Sequence, residues 1–153
     1  MIVALFDLDG TLYTGHILKG ISAYHREHRT KLFYLYSFLI THTAIWPICR
    51  LGFMSELSLR EMWLRDMAWT VRGWTPQEAE EAFAWIAREY VQPLVRPEIM
   101  ARLRDHQASS HHTVLVSGTF SPLLAAISRQ LGIDDAVGTP LVGRKGRYVG
   151  ACE

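Results

Sequence analysis

Two carboxylates, Asp7 and Asp9, stand at the end of an apolar run in MIVALFDLDGTLYTG, and Gly10 and Thr11 follow at once. The period of a strand sends both side chains to one side. One carboxylate can then attack phosphorus to give an acyl phosphate, while the other protonates the leaving oxygen and later activates water. Two carboxylates held together repel, so a hard divalent cation such as Mg²⁺ is expected to bridge them. A second polar cluster, Ser117-Gly118-Thr119, ends the run HTVLVSG. Ser117 brings a hydroxyl, and Gly118 and Thr119 bring backbone N–H groups at a turn into a helix whose N-terminus favours an anion. A bare D-x-D-G in a surface loop would be an Asx turn. Here it closes a strand that reads as buried, and a Ser-Gly pair closes a second strand, so the pair reads as catalytic.

The elements that must position these residues follow from the pattern. Residues 2–6 read as a short buried strand, and its natural partner is residues 113–116. Between them, residues 16–91 look almost entirely helical. Ser55 is the expected N-cap of SELSLREMWLRDMAW, with a Ser58/Glu61 capping box one turn later. TPQEAEEAFAWIAREYV has Thr75 as N-cap, Pro76 at the first helical position and Glu78 completing a capping box, with Ala79, Ala82, Phe83, Ile86 and Tyr90 on its apolar face. From Pro93 the order becomes helix, strand, helix, strand, with Gly132 stopping the second helix. A hairpin of 141–143 against 147–149 turns at Lys145-Gly146. This order implies an α/β fold with a parallel sheet and crossover helices, interrupted by a helical insertion.

The chain has 153 residues, 49% hydrophobic and 20% charged, which is enough for one core domain with an insertion and excludes disorder. A net charge of +1 gives no reason to expect a nucleic-acid partner. Cys49 and Cys152 fit free thiols in a reducing cytosol better than a lone disulfide, so the expected location is cytoplasmic. No signal peptide is legible at the N-terminus, because the apolar stretch is short and Asp7 interrupts it. Residues 32–49 lack Asp, Glu, Lys and Arg and reach the lower length limit of a membrane span. Ser37, Thr41, His42, Thr43 and Pro47 dilute that stretch, so a buried helix is expected and membrane contact is the unfavoured alternative.

FDLDGTL resembles the first signature of the haloacid dehalogenase-like hydrolase superfamily. TVLVSGTFSPLLAAISRQLGID is similar to its second signature in the phosphoserine-phosphatase-like branch, as are RPEIMARL before it and VGTPLVGRKGRYVG after it. The resemblance implies a Rossmann-like core of residues 1–15 plus 93–153 and a helical cap of residues 16–92 that closes over the site and selects the substrate. It implies Asp7 as nucleophile and Mg²⁺ ligand, and Asp9 as general acid/base with its backbone carbonyl on the metal. It implies Ser117 and Gly118, with Thr11, as the phosphate-binding residues. The reaction implied is hydrolysis of a small phosphorylated metabolite through an aspartyl-phosphate.

Two departures accompany the resemblance. The third signature is a lysine and the fourth an acidic Gly-Asp cluster, and both should lie beyond the hairpin. After Ser117 the acids are Asp134, Asp135 and Glu153, and the lysine is Lys145 in the hairpin turn. None of them matches, so the chain reads as an N-terminal fragment of a longer enzyme. Phosphoserine phosphatases carry DxDST and a glutamate nine residues past the nucleophile. Here the motif is DLDGT and position 16 is a histidine, which disfavours phosphoserine. The alternative function is a non-catalytic module that binds a partner or membrane through an apolar cap. Elsewhere, His25 and His28 read as a solvated basic face, His106, His111 and His112 as loop residues, and the five tryptophans as cap core.

Overall fold

The computed structural model describes residues 2–50 and 56–153. Three parallel strands, β1 (Val3–Asp7), β2 (His112–Phe120) and β3 (Asp135–Thr139), lie side by side in that order. Ala4 pairs with Thr113 and Asp7 with Val116, the partnership expected from the sequence. The crossover helices α5 (Pro97–Ala108) and α6 (Ser121–Leu131) start with proline in their first turns, and Gly132 ends α6 at φ 71°.

Both crossovers cover the same face of the sheet. Phe6 meets His106 of α5 edge-on, and Gly138 lies so close to α6 that an added Cβ would stand 2.5 Å from Leu124 Cδ1. The other face is bare among the described residues, with Leu5 69% and Val137 58% exposed. The expectation of a buried first strand is therefore corrected. Ala4 and Phe6 are buried while Val3, Leu5 and Asp7 are exposed, because helices cover one face of a sheet type that is ordinarily covered on both.

The insertion is helical: α1 (Ile17–Glu27), α2 (Leu32–Arg50), α3 (Glu56–Asp66) and α4 (Pro76–Trp85). The chain enters and leaves it side by side, with the Thr14 amide donating to the Leu94 carbonyl and the Arg96 amide to the Leu12 carbonyl, both at 3.0 Å. The Thr75–Glu78 capping box forms as read. The Glu78 amide donates to Thr75 Oγ1 at 3.1 Å and the Thr75 amide to Glu78 Oε2 at 2.7 Å. The helix it starts does not stay α-helical, however. From Ile86 to Val91 it widens into a π-helical turn that lays Tyr90 over Gly20, where a Cβ would stand 2.7 Å from the ring. Ser58 and Glu61 lie inside α3 and not at a cap, and Met67–Val71 tightens to a 3-10 helix. The expected Ser55 cap lies outside the described residues, as do the side chains of Trp46 and Cys49.

Three further expectations change. Residues 32–49 fall in α2, but only one side is buried: Leu35, Phe38 and His42 are buried while Phe33, Tyr36 and Ile40 are exposed. Among the described residues no helix is long and apolar enough to cross a membrane. His25 is not on a solvated face. It is fully buried, 2.6 Å from the Thr30 carbonyl through Nδ1 and tilted against Trp74, because the apolar side of α1 turns inward there. His106 belongs to α5 and His112 begins β2, so of the three only His111 stands in the connection. Trp74 is buried, and Trp63, Trp69 and Trp85 pack against the core, as expected of cap tryptophans.

The hairpin pairs β4 (Leu141–Arg144) with β5 (Arg147–Cys152), and Lys145 and Gly146 turn it at φ 50° and 72°. It is not a free appendage of the sheet. The Gly73 amide donates to the Tyr148 carbonyl at 2.7 Å and the Tyr148 amide to the Trp74 carbonyl at 2.8 Å. The hairpin thus docks by main-chain bonds onto the helical insertion.

Candidate active site

The parallel register of β1 and β2 sets the site. Asp7 and Val116 are Cα partners, so Asp7 ends β1 beside the point where Ser117 follows on β2. Past Val116 the register to β3 shifts and resumes only at Phe120, which leaves residues 117–119 as an irregular stretch. The helix expected to begin at this turn starts later, at Ser121. Ser117 Oγ accepts from the Thr119 amide at 3.3 Å, and the Gly118 carbonyl accepts from Thr139 Oγ1 at 2.9 Å. These bonds shape the stretch while leaving Gly118 exposed.

After β1 the chain turns tightly, with the Leu12 amide 3.1 Å from the carbonyls of both Asp7 and Leu8 and with Gly10 at φ 78°, where glycine is unstrained. The turn brings Thr11 back to the first carboxylate, and its hydroxyl donates to Asp7 Oδ2 at 2.8 Å. Thr11 is thus held on Asp7.

Asp9 is held more firmly, and by groups that the sequence does not single out. Tyr13 donates its hydroxyl to Asp9 Oδ1 at 2.9 Å, and the Ile17 amide donates to the same oxygen at 3.2 Å. Ile17 is the first residue of α1, and His16 before it offers no side-chain cap, so Asp9 fills that role from eight residues upstream. Tyr13 is fully buried. Burial and the adjacent Asp9 push its hydroxyl far above the ordinary tyrosine range, so it remains a donor. Tyr90, placed by the π-helical turn, meets the Tyr13 ring edge-on at 6.4 Å. A tyrosine four residues after the second carboxylate was visible in the sequence, but nothing local distinguishes it from a core aromatic.

Facing Gly118, α3 walls a cleft of about 550 Å³ with Ser58, Glu61, Met62 and Arg65, at the helical spacing of a single face. Arg65 Nε donates to Asp66 Oδ1 at 3.1 Å, and the other oxygen of Asp66 lies 3.3 Å from His42 Nε2. Arg65 was not foreseen either. Cys152, a free thiol on the same cleft, donates to the Arg65 carbonyl at 3.5 Å, and partial burial raises its pKa.

The residues suit a hard cation in part. Asp7 is exposed and, among the described residues, only its Oδ2 has a side-chain partner, so a carboxylate oxygen is available. Asp9 Oδ1 is already taken twice, while its Oδ2 has no side-chain partner among the described residues. Among the described residues no group of three or more His, Cys, Asp or Glu side chains could hold a metal ion. Asp134 lies at the opposite end of the sheet, accepting from the amide and hydroxyl of Thr113 at 2.8 and 2.7 Å, bonds that lower its pKa. Lys145 stays in the hairpin turn.

A parallel α/β sheet with polar loops at the carboxyl ends of adjacent strands and a helical insertion after the first strand is a Rossmann-like domain of the capped type. The chain belongs to the haloacid dehalogenase-like hydrolase family, whose family model matches residues 4–153. It is similar to an "inhibition of morphological differentiation protein" of Streptomyces azureus, 28% identical over 83 residues, covering 54% of this chain and 30% of that protein. Among solved structures, a protein of unknown function from Bordetella pertussis Tohama I aligns over 99% of this chain and 66% of its own, with TM-score 0.74 and 22% identity. A phosphoserine phosphatase in its apo form aligns over 99% of this chain and 61% of its own, with TM-score 0.58 and 16% identity. The chain thus spans less than two thirds of these relatives' lengths.

Proposed function

We propose that this domain belongs to a Mg²⁺-dependent phosphomonoesterase that works through an aspartyl-phosphate on a small phosphorylated metabolite in the cytoplasm. The observation that carries the reading is the arrangement of the two carboxylates. Asp7 is exposed at the strand end beside the Ser117-Gly118 stretch, and Asp9, two residues on, is held through one oxygen only.

In this reading Asp7 attacks phosphorus and the P–O bond to the alcohol breaks, giving an aspartyl-phosphate. Asp9 gives its proton to the departing alkoxide and later takes one from the water that hydrolyses the intermediate. Because two donors occupy Oδ1, the proton of the acid form resides on Oδ2, the oxygen without a side-chain partner among the described residues. Thr11 holds the Asp7 carboxylate in place, and Ser117 and the Gly118 amide receive the phosphoryl oxygens. Mg²⁺, held by Asp7 and the Asp9 carbonyl, would offset the charge gathered between carboxylate and phosphate.

The division into a core of residues 1–15 plus 93–153 and a cap of residues 16–92 is supported by the adjacent chain segments of the junction, joined by main-chain bonds at Thr14–Leu94 and Arg96–Leu12. The bare sheet face supports a core that continues in further elements packed on β1. The cleft under α3 is the natural place for the alcohol part of the substrate.

The test is Mg²⁺-dependent release of phosphate from a panel of phosphomonoesters by the full-length gene product. Asp7→Asn should abolish it, and activity persisting in that variant would sink the mechanism.

A further inference from the structure

Helix α2 carries a feature that phosphate chemistry does not use. Its exposed residues Phe33, Tyr36, Ile40, Thr43 and Pro47 recur every three or four positions and, with Ala44 beside Thr43, form one uncharged stripe. Phe33 is 74% exposed, Ile40 69% and Tyr36 48%. At 1.5 Å per residue the stripe is about 21 Å long. Three large apolar side chains in line on a single helix are not the scattered exposure of an ordinary surface.

The charges of this part of the chain are mostly positive. Residues 17–50 contain Lys19, Arg26, Arg29, Lys31 and Arg50 against Glu27 alone, five cations and one acid, a net charge of +4. Lys19 and Arg26 line a crevice of about 280 Å³ with Tyr36, so they stand directly at the stripe's flank. Arg29 is in the turn between α1 and α2. Among the described residues none of Lys19, Arg26 and Arg29 joins an ion pair, whereas Lys31 is 3.7 Å from Glu78.

We infer that the α2 face docks on an anionic lipid surface, with α2 lying in the plane of the interface. Aromatic and aliphatic side chains on one helix side with cations at the margin are the chemistry that such a surface takes up. Spanning is not involved, since no described helix is long and apolar enough. A second copy fits less well, because a two-fold contact would bring the two basic margins together. A folded protein partner would need a shaped complement, and the stripe is a convex helix side. This inference is independent of the reaction at Asp7.

The experiment is co-sedimentation of the full chain with vesicles of phosphatidylcholine alone and of phosphatidylcholine mixed with phosphatidylglycerol, at low and high salt. Binding is expected only to the mixed vesicles and is weakened by salt. Phe33→Ser with Ile40→Ser should lower partitioning at least tenfold. Replacing Lys19, Arg26 and Arg29 by glutamine should lower it roughly 100-fold, about fivefold per charge. All five residues are exposed, on α1, α2 and the turn between them, and circular dichroism checks that the fold is kept. Should either variant set fail to fold, the other carries the test. Absence of binding to the mixed vesicles overturns the inference, as does equal binding to neutral ones or binding unaffected by either variant set. A concentration-dependent dimer that Phe33→Ser dissolves, without vesicle binding, overturns it in favour of self-association.

Discussion

Replacing Tyr13 by Phe removes one oxygen atom and keeps a ring that is wholly buried. The lost bond runs 2.9 Å to Asp9 Oδ1, and a hydrogen bond to a charged group contributes about 1.5–3 kcal/mol. At about 1.4 kcal/mol per factor of ten, the whole bond corresponds to roughly 10–150-fold. The Ile17 amide still holds the same oxygen at 3.2 Å, so the expected loss in kcat/KM sits at the lower end, roughly tenfold. Its dependence on the substrate is the sharper outcome. If Tyr13 positions the group that protonates the leaving oxygen, the loss is large for an alkyl phosphate, whose alkoxide needs the proton. It is small for 4-nitrophenyl phosphate, whose leaving group does not. The assay is kcat/KM for both substrates in wild type and variant, with thermal midpoints alongside. A structural defect alone would lower both values by one factor, and that result, or no change in either, would refute the positioning argument. A wild-type protein without phosphate release would instead refute the proposed reaction, so the two failures are distinguishable.

Arg65→Met should raise KM roughly tenfold for phosphomonoesters bearing a second anionic group, with kcat little changed and neutral-tailed substrates unaffected, because Arg65 lines the cleft beside Gly118. A parallel rise for both substrate types would remove Arg65 from recognition. Gly138→Ala should cost about 1–3 kcal/mol, read as a lower thermal midpoint. Its Cβ would stand 2.7 Å from the Thr119 carbonyl oxygen, a backbone atom that cannot yield as a side-chain tip does. Burial lowers the proton affinity of His25, only partly opposed by the carbonyls of Thr30 and Thr70, while nearby Lys31 lowers it further. The unfolded chain therefore takes the proton first. Stability is complete above about pH 6.5 and falls as pH drops through the folded-state pKa. Urea midpoints across that range should decline more in wild type than in His25→Gln, and equal slopes would contradict the assignment.

What the sequence by itself determined is local or repetitive. The β1 turn, the Thr75–Glu78 box, the Gly132 stop and the Lys145-Gly146 hairpin each depend on residues within a few positions, whose backbone preferences and short-range bonds are the same wherever the segment is placed. The pairing of β1 with β2 was legible because two apolar runs ended in chemistry of the same kind. The tertiary structure alone decided which faces are covered and which distant groups meet. Leu5 and Ala4 are equally apolar in the sequence, and only the placement of α5 and α6 on one side exposes the first and buries the second. His25 has a polar composition around it, yet the packing of Trp74 and the carbonyl of Thr30 enclose it. Tyr90 reaches Tyr13 because α4 widens into a π-helical turn over the empty space at Gly20, a change of register that an apolar period of 3.6 does not announce. The clamp on Asp9 follows from all of these together. It joins a turn, a helix start and a buried ring, and their contact is a property of the packed chain and of no single segment.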